Sequence, residues 1–200
     1  NDQRQIIYRQ RDELLSDDEI EDTIAAIRAD VVSDAVDGFV PPMSVEEQWD
    51  IPGLEKQLEA EFGVALPVSQ WLEEDNALHE ETLRERILAA VQTAYEEKAQ
   101  GVGPGMRQLE KQIMLQVLDT LWKEHLQVMD QLRQGIHLRA YANKNPKQEY
   151  KRESFELFEG LLQRLKYEVI RFLSHVQVQH ADEAAAVEQR RRETAAKQNM

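Results

Sequence analysis

The spacing of apolar residues in the first half of the chain predicts a series of amphipathic helices. In residues 1–15, Ile7 and Leu14 lie seven positions apart, which fits about four helical turns. A second helix is predicted from a capping box at Ser16 and Glu19 to a left-handed C-cap at Gly38. A third is predicted for residues 79–100. Inward positions of these two helices are Ile20, Ile24, Ile27 and Val31, then Leu83, Ile87, Val91 and Ala94 or Tyr95.

Between these helices, prolines interrupt residues 39–78 and predict short helices, since proline lacks the N–H that a helix interior needs. Ser44 and Glu47 form a second predicted capping box. A short apolar stripe (Leu54, Leu58 and Phe62) ends at Gly63. We expect Trp49 and Trp71 to be buried anchors of a small core, because their rings are stabilised more by burial than by exposure.

The second half of the chain carries two long heptad-like patterns. Three glycines and a proline in Gly101–Gly105 end the preceding helix. Two apolar stripes joined by a short loop predict an antiparallel helical hairpin, with Asn145 capping its second arm and Pro146 in the first helical position. The predicted stripes are Met114, Leu118, Leu121, His125, Val128 and Leu132, then Phe155, Phe158, Leu162, Leu165, Val169, Phe172 and Val176.

These patterns together predict an all-α fold. It consists of a long antiparallel helical hairpin packed with an N-terminal helix, plus a small inserted helical bundle. The composition agrees, because 8 glycines and 6 prolines in 200 residues are few for a turn-rich strand architecture. Since the chain begins without Met and its first residues already resemble the middle of a helix, we expect it to be a piece of a longer protein.

Charge is distributed unevenly. The formal net charge is −14, and residues 1–100 carry −17 whereas residues 101–200 carry +3. Such asymmetry indicates two surfaces with different partners, and the overall acidity argues against a specific nucleic-acid binder. The longest unbroken apolar run, Ile87–Val91, is far too short to span a bilayer.

Catalytic and metal-binding patterns are missing from the sequence. No glycine is followed by lysine as in a P-loop, and the five histidines include no i, i+4 pair. Without cysteine there is no thiol nucleophile and no Cys-based zinc site. We therefore expect no enzyme activity, cofactor or metal in this segment, and we interpret His125 as a hydrogen-bonded core histidine.

Basic residues concentrate around the predicted hairpin tip, which also carries Tyr141. This charge fits a solvated loop, a nucleic-acid contact, or a tip that docks into another protein beside anionic lipid. A long stiff arm with a distinctive end favours docking, in which Tyr141 provides an amphipathic anchor. Between residues 133 and 152 the only acid is Glu149, and the basic residues are Arg133, Arg139, Lys144, Lys147, Lys151 and Arg152.

Residues Leu121–Leu162, LWKEHLQVMDQLRQGIHLRAYANKNPKQEYKRESFELFEGLL, closely resemble the two-helix finger of the SecA family, the motor ATPases of bacterial preprotein translocation. The opening NDQRQIIYRQRDELL resembles the family's long scaffold helix, and the likeness covers about 180 of the 200 residues. It implies a first scaffold helix at 1–19, a helical wing domain at 20–102, and scaffold with the two-helix finger at 103–180. Residues 181–200 are predicted to form a disordered or fraying tail.

The resemblance also implies roles for tip residues. Tyr141, Arg139, Lys144 and Lys147 are expected to contact the translocating preprotein and the SecYEG channel. A neighbouring segment is expected to restrain ATP hydrolysis by the motor domains when no substrate is engaged. Where relatives often carry Gln-Lys-Asp, this chain has Asn143-Lys144-Asn145, which adds a positive charge while keeping a capping residue. The regulatory segment comprises Gly135, Ile136, His137, Leu138, Arg139, Ala140 and Tyr141.

Implied partners are the SecYEG channel, preproteins, the SecA motor domains and an anionic lipid surface, with homodimers of the parent protein. ATP and Mg²⁺ would bind in the parent's motor domains and not in this segment. The implied location is the cytoplasm and the cytoplasmic face of the bacterial inner membrane. The alternative function is a basic-tipped hairpin that binds RNA or anionic lipid.

Overall fold

The computed structural model describes residues 2–16, 20–139, 145–176, 186–187 and 189–190, with the backbone alone for Arg139. Over these residues it contains seven α-helices, one short 3₁₀ helix and no strand, which confirms the all-α fold class. The α-helices are α1 (Asp2–Ser16), α2 (Ile20–Asp37), α3 (Ile51–Phe62), α4 (Val68–Glu74), α5 (Glu80–Val102), α6 (Gly105–Arg139) and α7 (Pro146–His175), and the 3₁₀ helix is Glu46–Gln48.

The chain divides into two compact units. The first comprises residues 1–18 and 111–169, and the second comprises residues 19–110 and 170–200. Both α6 and α7 therefore contribute residues to each unit. The family-derived boundaries at 19/20, 102/103 and 180/181 stay a prediction, because these units follow spatial contacts and not domain names.

In the first unit, α6 and α7 form the predicted antiparallel hairpin. The Arg164 guanidinium lies 2.9 Å from the Glu124 carboxylate, and the His125 ring centroid lies 5.9 Å from that of Phe158. The N-terminal helix α1 packs along α6, where Arg11 pairs with Asp119. A hairpin packed with an N-terminal helix is thus confirmed.

Five of the thirteen predicted stripe residues are not buried: Val128, Phe155, Leu162, Phe172 and Val176. Val128, Phe155 and Phe172 are exposed, the last two by 63% and 61%. Leu161 is buried, whereas Leu162 is only half-buried. Both leucines satisfy a spacing of three or four residues from Phe158, so periodicity alone could not decide between them. Predicted stripe residues that are buried are Met114, Leu118, Leu121, His125, Leu132, Phe158, Leu165 and Val169.

The second unit contains the small bundle of helices α2 to α5. Helix α3 buries its predicted stripe and ends at Gly63, whose φ of 65° confirms a left-handed C-cap. On α5 the inward residue is Tyr95, and Ala94 is half-buried. Other buried apolar residues of the second unit include Ile20, Ile24, Val31, Val32, Leu83, Ile87, Val91, Ile170 and Leu173.

Three predicted helix caps are wrong. Helix α2 ends with the Phe39 and Val40 N–H groups both donating to the Val36 carbonyl, and Gly38 is not among the described glycines with positive φ. Ser16 is the last residue of α1 and donates to preceding carbonyls, while its predicted partner Glu19 lies outside the described residues. The Ser44 hydroxyl accepts from Trp49, so it is a bridge within its loop and not a helix cap.

The two tryptophans expected to be buried anchors are only half-buried. Trp49 Nε1 donates to Ser44 Oγ at 2.7 Å, and the Arg86 guanidinium lies 4.2 Å from the Trp71 ring centroid. Each indole is thus partly exposed and contacts a polar group. Aliphatic side chains and Phe62 fill the interior instead.

Candidate interaction surface on the helical hairpin

The two arms of the hairpin end at well-defined residues on either side of the tip. Helix α6 ends at Arg139, and α7 begins at Pro146. Asn145 Oδ1 accepts the Lys147 N–H at 3.0 Å, which confirms Asn145 as the predicted N-cap. Lys147 is exposed in the first turn of α7. The predicted contact residues Tyr141 and Lys144, the side chain of Arg139, and Ala140 lie outside the described residues.

The described part of the predicted regulatory segment forms the last turns of α6. Ile136 is buried against the hairpin interior, whereas Leu138 is 83% exposed and His137 is also exposed. A β-carbon at Gly135 would meet no atom within 4 Å. The segment therefore anchors itself through one side chain and presents an apolar side chain outward. Its regulatory role stays a prediction.

Acidic neighbours offset part of the positive charge near the tip. Arg133 lies 2.6 Å from Asp130, and Arg152 lies 2.7 Å from Glu149 and 3.1 Å from Glu156. The hydrogen bond to Glu149 raises the pKa of Arg152 above its ordinary value. Lys147 and Lys151 are exposed. Residues 133–152 alone therefore overstate the positive charge around the tip, because Asp130 and Glu156 lie just outside this range and pair with Arg133 and Arg152.

A polar bridge ties α1 to both arms. Gln3 Nε2 donates to the Ser154 carbonyl at 3.1 Å, and Gln3 Oε1 lies 2.9 Å from His125 Nε2. Since an amide oxygen can only accept, Nε2 of His125 carries the proton. Burial lowers the pKa of His125, whose ring stacks on Trp122 at 5.4 Å. His125 is therefore a neutral, hydrogen-bonded core histidine, as predicted.

Sequence reasoning missed Gln3. It lies in a polar run of α1 and belongs to no apolar stripe. Its importance comes from pairing with residues more than a hundred positions away. The bridge needs a side chain that both donates and accepts, as the Gln3 amide does, and no local pattern encodes that requirement.

A groove of about 630 Å³ runs between the two arms of the hairpin. Glu124, Glu153 and Glu156 lie along it, and Arg164 pairs with Glu124. The hairpin therefore offers an apolar surface flanked mainly by acidic groups. Apolar lining comes from Leu121, Val128, Leu132, Leu157, Gly160 and Leu161.

The described ranges contain neither a metal-binding cluster nor a membrane-spanning helix. No group of three or more His, Asp and Glu side chains is arranged there to hold a metal ion. No helix within those ranges has an apolar stretch long enough to cross a membrane.

Comparison with known proteins agrees with this architecture. The family model described as "SecA Wing and Scaffold domain" matches residues 1–177. "Protein translocase subunit SecA" from Cellvibrio japonicus (strain Ueda107) is 58% identical over 200 residues, which is 100% of this chain and 22% of that relative. The chain thus spans about a fifth of the length of this relative. The chain belongs to the SecA family, in which it corresponds to the wing and scaffold domain.

Proposed function

We propose that this chain is the non-catalytic arm of a SecA-type translocation motor. It couples ATP-driven motion of motor domains elsewhere in the parent protein to the movement of preproteins through the SecYEG channel. The observation that carries this proposal is the hairpin of α6 and α7, whose shaft buries apolar side chains and in which Leu138 and Lys147, on either side of the tip, are exposed. Family membership supports the translocation role.

The hairpin is suited to transmit displacement. Its helices contain 35 and 30 residues, so the arms are roughly 53 and 45 Å long at ~1.5 Å per residue. Buried apolar side chains line the interface along much of that length, and the Gln3 bridge ties α1 to both arms. Close-packed interiors deform little, so motion applied to the shaft reaches the tip.

The tip meets the preprotein and the channel mouth through Tyr141, with Arg139, Lys144 and Lys147 around it. A tyrosine contact tolerates many sequences, because its ring offers apolar area and its hydroxyl one hydrogen bond. Residues 135–141 restrain the motor ATPase when no substrate is present. ATP and Mg²⁺ bind in the parent's motor domains, and the protein works at the cytoplasmic face of the inner membrane beside anionic lipid.

A second candidate function is the binding of RNA or anionic lipid by the tip, which the exposed Lys147 and Lys151 favour. Acidic partners of Arg133 and Arg152 weaken this candidate, and so does the net charge of −14. Phosphate binding would depend steeply on salt, whereas docking to a protein channel depends on it less.

The test uses the full-length parent protein carrying a photocrosslinking amino acid at position 141. We expect crosslinks to preprotein in mid-translocation, and we expect Tyr141→Ala to slow translocation several-fold without changing the melting temperature. Tyr8→Ala is the matched control, because Tyr8 is an exposed tyrosine on α1. Normal translocation by Tyr141→Ala, or crosslinks only to RNA or lipid, would refute the proposal.

A further inference from the structure

One turn of α5 contacts the base of both hairpin helices within the second unit. The Tyr95 hydroxyl donates to Glu110 Oε2 in α6 at 2.7 Å. Lys98 Nζ donates to the Ser174 carbonyl of α7 at 2.7 Å and to that of Leu173 at 3.3 Å. Residues three apart share a helix face, so Tyr95 and Lys98 act from the same side of α5. We call Tyr95, Lys98 and Glu110 the base clamp.

Lys98 supplies what the end of α7 needs. The last four carbonyls of a helix have no partner within the helix, and Leu173 and Ser174 carry two of them. The ammonium group also complements the negative end of the helix dipole. Leu173 is fully buried, so water is not a ready substitute at this position.

Glu110 is a fully buried carboxylate held by several groups. Besides Tyr95, it faces Arg107, whose guanidinium lies 2.8 Å from Glu110 Oε1. The buried Arg28 guanidinium lies 3.3 Å from the Tyr95 ring centroid and donates to Gln92. Burial raises the pKa of Glu110 and lowers that of Arg28. Such a network specifies one arrangement of its helices more than it adds stability.

The geometry points to Tyr95 and Lys98 as positioning residues, which fix the register of α6 against α7 at the base of the hairpin. This inference rests on the proposed function. Helices in contact shift in discrete steps, and a shift of one turn moves a helix by ~5.4 Å along its axis. A loosened base clamp would therefore let α6 and α7 shift against each other, and the hairpin would transmit less of the motor's displacement.

The experiment replaces Lys98 by Met in the full-length parent protein, which removes the ammonium and keeps an apolar stem. Lys56→Met is the control, because Lys56 is an exposed lysine on α3. Lys98→Arg is the conservative rescue. We expect Lys98→Met to speed amide hydrogen exchange in residues 170–176 several-fold and to lower preprotein translocated per ATP hydrolysed several-fold. Lys56→Met should change neither quantity, and Lys98→Arg should restore both.

Unchanged exchange in Lys98→Met would refute the base clamp. Faster exchange with an unchanged yield per ATP would reduce Lys98 to a structural residue and also overturn the inference. Should Lys98→Met not fold, Tyr95→Phe tests the same idea by removing one hydroxyl, with faster exchange expected in residues 106–112. If position 141 gave no crosslinks to preprotein while Lys98→Met still showed the expected faster exchange and lower yield per ATP, only the proposed tip contact would be refuted.

Discussion

Gln3 and His125 are 122 positions apart in the chain, yet Gln3 Oε1 lies 2.9 Å from His125 Nε2. The same Gln3 side chain donates to the backbone of α7 through Ser154. One side chain of α1 therefore satisfies polar groups on both arms of the hairpin. Its loss would leave a buried imidazole N–H without an acceptor.

We expect Gln3→Ala to lower the free energy of unfolding by about 1–3 kcal/mol, the usual cost of an unsatisfied buried polar group. Urea denaturation measures this change. Gln5→Ala is the control, since Gln5 is exposed on the same helix and should change stability by less than ~0.5 kcal/mol. Equal effects of the two substitutions would contradict the bridging role of Gln3.

Protonation of His125 should destabilise the protein in mild acid. Burial lowers its pKa in the folded state below the ordinary value of about 6.5. The unfolded chain then binds the proton more readily, so this contribution to stability is complete above pH ~6.5 and is lost as the pH falls toward the folded pKa. Urea unfolding at several pH values from about 5.5 to about 7.5, one unit either side of the ordinary pKa, should show a steeper loss of stability for the unmodified protein than for His125→Gln. Parallel curves would show that His125 does not titrate differently on folding.

Alanine substitutions at two glycines should act in opposite directions. Gly63 has a φ of 65°, and an added β-carbon would lie 3.2 Å from the Ser174 carbonyl oxygen. Gly63→Ala should therefore destabilise by about 1–2 kcal/mol. Gly160 lies inside α7 with no atom within 4 Å of an added β-carbon, so Gly160→Ala should stabilise by about 0.5–1 kcal/mol. Melting temperatures that shift in the same direction would be inconsistent with this geometry.

Arg84 joins α5 to the end of α2. Its guanidinium lies 2.7 Å from Glu80 and 2.6 Å from Asp37, and it donates to the Ser33 carbonyl at 2.9 Å. Because Glu80 is itself buried, Arg84→Met should cost about 3 kcal/mol by leaving a carboxylate without its partner.

Arg86→Met provides the comparison for Arg84. Arg86 is exposed and stacks on Trp71, so its removal should cost only about 0.5–1 kcal/mol. Chemical denaturation of both variants measures the difference. A larger loss for Arg86→Met would mean that the Arg84 ion pairs contribute little to the bundle.

Periodicity predicted the helices well because each helix buries one face. The hairpin, the stripe of α3 and the break near Gly103 all follow from spacing and from glycine or proline. Spacing could not predict that Leu161, and not Leu162, is the buried leucine, since burial depends on which residues of other helices each side chain contacts.

The polar interior was less predictable than the apolar one. Arg28 and Glu110 are buried although their residue types usually lie on the surface. Their burial is explained only by partners on other helices, among them Tyr95 and Arg107. At the tip, the sequence supplied Asn145 as a cap, and the contact role of Tyr141 stays a prediction.

Ile170 and Leu173 are fully buried and belong to the second unit, most of whose residues lie in 19–110 and are made before the second arm of the hairpin. On a ribosome, residues 19–110 emerge long before these two side chains are made. The nascent second unit therefore lacks part of its interior until the whole hairpin has been synthesised. We infer that the second unit reaches its native packing late, although most of its chain is made early.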